Sequence, residues 1–114
     1  MPVTLTTHAV EKSTFVITAA FTDEDGNTVT PNAVTWTLTT SSGTVINDRE
    51  DVEETPASSI DIALKGDDLA LQDGEAVKGV RILTVEATYD SDLGSDLPLK
   101  ESAQFIIDNL VAVT

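Results

Sequence analysis

A sandwich of two antiparallel β-sheets is the fold this chain predicts, and three observations predict it. Several segments alternate apolar and polar side chains with a period of two, which buries one face of a strand and wets the other. Val34-Thr35-Trp36-Thr37-Leu38-Thr39, Leu83-Thr84-Val85-Glu86-Ala87-Thr88-Tyr89 and Ala103-Gln104-Phe105-Ile106-Ile107 all have this rhythm. Gly, Pro, Asn and Asp fall between the segments as turn formers. No stretch carries the longer period of a helix. The expectation is seven or eight strands in two sheets with Greek-key connections.

The elements follow in order along the chain. Val3 to Thr7 is a weak first strand. Thr14 to Thr22 is the second, with Phe15, Ile17, Ala19 and Phe21 on one face. Asp23-Glu24-Asp25-Gly26-Asn27 reads as a hairpin turn, because Asp-Gly and Gly-Asn supply the positive φ that tight turns require. Pro31-Asn32 breaks the chain before a strand from Ala33 to Thr40. Ser41-Ser42-Gly43 reads as a loop into a strand at Thr44 to Asn47. A charged stretch follows, Arg49 to Glu54, with a short strand about Val52 and an edge or loop at Pro56. Ser59 to Leu64 alternates again, with Ile60, Ile62 and Leu64 inward. Asp67-Asp68 before Leu69-Ala70-Leu71 caps one helical turn. Gln72 to Gly79 is a polar loop. Val80 to Tyr89 is the strongest strand, with Leu83, Val85, Ala87 and Tyr89 inward. Asp90 to Asp96 reads as an acidic loop. The last strand runs from Leu97 to Asp108, with Ala103, Phe105 and Ile107 inward. Leu110-Val111-Ala112-Val113-Thr114 is apolar, and it either continues that strand or docks on another domain or subunit.

The composition bounds the function. A chain of 114 residues forms one domain, residues 1–114, with a core that needs no metal or disulfide staple. It has no cysteine, so thiol chemistry and Cys-ligated zinc are excluded. Twenty acidic residues against six basic ones give a net charge of −14. That charge disfavours nucleic acid and anionic membrane surfaces. It favours solubility, docking on a basic partner, or a hard cation. The segment Met1-Pro2-Val3-Thr4 has neither the basic nor the apolar region of a signal peptide. No apolar run spans a bilayer. The expectation is synthesis in the cytoplasm, or a piece of a larger protein.

Little in the chain carries chemistry. His8 is the single histidine, and no Gly-x-Ser-x-Gly elbow accompanies it, so it reads as a surface residue and the chain as no enzyme. No catalytic or cofactor-binding residue is predicted. Trp36 and Tyr89 fall on core-facing positions, which argues for packing over sugar stacking. Asp23-x-Asp25-Gly26-Asn27 partly matches a calcium loop but lacks its closing acidic residue, and a hairpin turn explains the same residues. The loop aspartates Asp90, Asp92 and Asp96, with Asp67-Asp68 as neighbours, are the better calcium candidates, since sandwich modules hold calcium at a loop pole.

Together these segments resemble a known group. The Asp-Gly hairpin precedes Val34-Thr35-Trp36-Thr37-Leu38-Thr39, and Gly43-Thr44-Val45-Ile46-Asn47 follows. Further on come Asp68-Leu69-Ala70-Leu71, Ala87-Thr88-Tyr89-Asp90 and Phe105-Ile106-Ile107. Over residues 14–108 the chain resembles the small immunoglobulin-like sandwich proteins encoded among the structural genes of tailed bacteriophages and prophages. It departs from antibody domains in lacking both cysteines and in placing its tyrosine at a strand end. The resemblance implies an immunoglobulin-like β-sandwich with one short helical turn between the last strands. It also implies a non-enzymatic virion protein of the head, neck or tail, whose partners are other virion proteins or its own copies. The alternative is a carbohydrate- or calcium-binding immunoglobulin-like module of a larger bacterial surface protein.

Overall fold

A computed structural model describes residues 3–5, 7–70 and 78–108. Its strands are β1 (Val3–Thr4), β2 (Ala9–Val10), β3 (Thr14–Ala20), β4 (Ala33–Thr40), β5 (Val52–Glu54), β6 (Ser59–Lys65), β7 (Lys78–Ser91) and β8 (Gly94–Asp108). A single 3₁₀ turn, Gly66–Leu69, lies between β6 and β7. The larger sheet has the order β1-β8-β7-β4-β5, with β2 also pairing β8, and β3 pairs β6 in a second sheet. The chain changes sheet between β2 and β3, between β3 and β4, between β5 and β6, and between β6 and β7. This is the predicted all-β, immunoglobulin-like sandwich, except that its larger sheet is mixed and not purely antiparallel, since β1 and β2 run parallel to β8.

Register explains the core. In β4 and β7, Val34 pairs Ala87, Trp36 pairs Val85 and Leu38 pairs Leu83. All six are buried, so the alternating face seen in both segments is one continuous inner face. In the small sheet, Ile17 pairs Ile62 and Phe15 pairs Leu64, again on the inner side. Phe15 reaches across to Phe105 of β8, with ring centroids 5.1 Å apart and planes tilted by 35°. Leu38, Leu64, Leu69, Phe105 and Ile107 are fully enclosed. Each side chain of this size contributes about 1.5–3 kcal/mol on leaving water.

Several expectations are corrected. The first strand is split: β1 and β2 both pair β8 in parallel, at Val3↔Ala103 and Ala9↔Ile107. The helical turn is 3₁₀ and ends at Leu69; Leu71, residues 72–77 of the polar loop and the apolar segment 110–114 lie outside the described residues. Thr44 to Asn47 is not a strand. Only Val45 bridges β4, at Thr39, because Asn47 and Asp48 adopt φ of 52° and 57° and turn the chain away. Asp90 to Asp96 is not an open loop but the tip of the β7–β8 hairpin. Its register slips between Tyr89↔Leu97 and Ser91↔Gly94, where Asp96 takes a φ of 51°.

Candidate functional site

The sandwich has two poles, and the charged residues sort onto them differently. At the first pole the Phe21–Val29 hairpin and the β7–β8 hairpin meet. Asp23 closes its own turn: its Oδ1 accepts the N–H groups of Asp25 and Asn27, each at 2.9 Å. Gly26 completes that turn with a φ of 81°, which glycine adopts without strain. Glu24 Oε1 accepts the Tyr89 hydroxyl at 3.0 Å, tying this hairpin to the end of β7. That carboxylate, with burial and the neighbouring acids, raises the Tyr89 hydroxyl above its usual range.

The calcium candidates divide. Asp90 and Asp96 come together, and Asn32 is the reason. Its Nδ2 donates to Asp90 Oδ1 at 2.8 Å and to Asp96 Oδ1 at 3.0 Å. The Asp96 N–H adds a further bond to Asp90 Oδ1 at 2.8 Å. That backbone bond and Asn32 hold the Asp90 carboxyl below its usual range. Asp92 stands exposed at the hairpin tip. Among the described residues one group of three acidic side chains converges, Asp23, Glu24 and Asp25, with one carboxylate oxygen of each within 4.8 Å of the others. Those are the residues of the Asp-Gly hairpin, and two of them already serve as acceptors in the turn and the Tyr89 contact.

The pair Asp67-Asp68 belongs to the opposite pole. Asp68 is buried and accepts from Arg49 Nε at 2.7 Å, Asn47 Nδ2 at 2.9 Å and the Lys65 N–H at 3.1 Å. Burial pushes its carboxyl up, but the bonds from Arg49, Asn47 and Lys65 outweigh that and hold it below the usual range. Arg81 is also fully buried; it donates to the Val80 and Ala70 carbonyls at 2.9 and 3.1 Å and so fixes the chain leaving the 3₁₀ turn. Its position was readable, since Arg81 shares the inward phase of Leu83 and Val85. The Asp68–Arg49 contact was not readable, because it depends on the irregular Asn47–Asp48 turn.

His8 is exposed, on the link between β1 and β2. Its Nδ1 lies 3.0 Å from Asp108 Oδ1, at the end of β8. Trp36 and Tyr89 are both buried, as their phase in the strands predicts, so neither ring faces solvent as a sugar platform. No family model, curated protein or solved structure matches the chain.

The first pole is thus a preorganised acidic surface. Asp23, Glu24, Asp25, Asp90, Asp92 and Asp96 gather there, and hydrogen bonds fix four of them. Chemically, such a surface attracts cationic groups and repels anions.

Proposed function

We propose that this chain is a non-enzymatic structural and interaction module, incorporated in the virion of a tailed phage or prophage and made in the host cytoplasm. The carrying observation is the fixed acidic pole built on a rigid sandwich. Held carboxylates lose little freedom on docking, which suits recognition of a basic patch on another virion protein. The sequence resemblance supports the virion setting. The test is mass spectrometry of purified particles from a lysate encoding the chain. Its presence at a fixed copy number is expected; particles complete without it overturn the reading.

A second reading is a calcium-binding module of a larger bacterial surface protein. The convergence of Asp23, Glu24 and Asp25 favours it. Titration calorimetry with calcium decides between the two, and no heat at millimolar calcium removes this one. The carbohydrate version has less support, because Trp36 is enclosed.

A further inference from the structure

Strand β3 has an unused edge, and β8 helps line a groove beside it. The bonds Gly66 N–H to Ser13 O and Phe21 N–H to Ser58 O flank the β3–β6 ladder. They set its alternation, so the odd-numbered residues of β3 bond to β6. The backbone groups of Thr14, Val16, Thr18 and Ala20 therefore point the other way. Among the described residues no strand pairs with β3 on that side. The edge has none of the usual guards, since Thr14 to Ala20 contains no charge, no proline and no glycine. Val16 is 52% exposed. Beside the edge lies an open, mostly apolar groove of about 240 Å³, lined by residues 17–21 of the β3 side and by Leu5, Leu83, Val85, Leu99 and Ala103, with Glu101 and Ser102 also in its lining. That volume suits aliphatic side chains and is far larger than one water requires.

The groove beside this edge is lined by Leu5 and by Leu99 and Ala103 of β8 as well as by β3. A lone extended segment fits along it, with backbone bonds to β3 and alternate side chains in the groove. We infer that its occupant is residues 110–114 of a second copy, added to β3 as an extra strand. Leu110-Val111-Ala112-Val113-Thr114 is uncharged and rich in β-branched residues, within a chain of net charge −14. Within its own copy the segment is too short to both return and lie along the groove. β8 ends at Asp108 beside Val10, whereas the groove faces Leu99 to Ala103. The return from Asp108 to Ala103 alone takes about 17 Å of strand. Residues 109–114 extend at most about 20 Å, and the reversal of direction consumes part of that. The resulting contact is head-to-tail and builds a ring or a filament. It rests on the interaction-module reading and names the partner as the chain itself.

Complementation tests it in sedimentation velocity with the full chain. The wild type is expected to associate with rising concentration, and more strongly with added salt, because the strand is neutral while the copies repel. Truncation after Asn109 removes the donor. Thr18→Pro removes an outward N–H that β6 does not use, and so blocks the acceptor. Each variant alone is expected to be monomeric, and their equimolar mixture to double in mass. Ala103→Trp, which fills the groove, replaces Thr18→Pro if the proline variant fails to fold by circular dichroism. A wild type monomeric at millimolar concentration overturns the inference, as does a mixture that stays monomeric while the wild type associates. A monomeric wild type that is still packaged in particles leaves the proposed function standing. Absence from particles overturns that function whatever the association state.

Discussion

Replacing Asp68 with alanine removes a carboxylate that three donors share. The side chain is 2% exposed, while its partner Arg49 is 40% exposed. A bond to a charged group contributes about 1.5–3 kcal/mol, and breaking a fully buried pair costs about 3–5 kcal/mol. Solvent reaches Arg49 and Asn47 once the carboxylate is gone, so the lower end applies. The expected loss is about 3 kcal/mol at pH 7, or about 10 °C in melting temperature for a domain of this size. The pH dependence has a definite sign. Asp68 titrates below its ordinary 3.8 in the folded chain, so its stabilisation is complete above that value. It fades as pH falls through the folded value. Urea unfolding of both proteins from pH 7 down to pH 3 measures the difference, which is expected to narrow only in the acid range. A loss under about 0.5 kcal/mol at neutral pH refutes the argument. So does a difference that begins to shrink well above pH 4.

Asn32→Ala removes one of the two bonds that lower Asp90, so carboxyl NMR is expected to show Asp90 titrating at higher pH than in the wild type; an unchanged titration contradicts the clamp. Trp36→Phe is expected to cost less than about 2 kcal/mol, because the indole N–H is buried with no partner among the described residues and its removal offsets part of the lost packing; a larger loss in thermal unfolding contradicts this. Leu38→Ala, at a site with 0% exposure between the sheets, is expected to cost about 2–5 kcal/mol by denaturant unfolding, and a cost under about 1 kcal/mol contradicts its place in the core.

The strands that were legible in the sequence are those whose neighbours are also strands with the same alternation. β4 has the predicted bounds, Ala33–Thr40, because threonines and apolar residues alternate without a break and Pro31 marks the entry. The inward residues of β6 and β7 follow equally from period two. What escaped is non-local or irregular. β2 is two residues long and exists only because β8 offers a parallel edge at Ile107. Acidic residues from Asp90 to Asp96 look like a loop, yet the hairpin closes across a register slip to Ser91↔Gly94, and Asn32, far away in sequence, donates to the Asp90 and Asp96 carboxylates there. Likewise, nothing local marks Asp68 as buried while Asp67 beside it is exposed.

The parallel pairing of β1 and β2 with β8 has a mechanical consequence. Parallel neighbours place the entry to β1 and the exit from β8 at opposite ends of the same seam. Tension entering before β1 and leaving after β8 therefore slides the strands past each other, and the seam bonds, including Leu5 N–H to Gln104 O at 2.8 Å, share the load at once. A hairpin pulled at its open end instead unzips one bond at a time. Under axial force the seam is expected to act as a clamp that yields in one step. Single-molecule pulling checks this: gradual, low-force extension contradicts it, and weakening the seam with Leu5→Pro is expected to lower the rupture force.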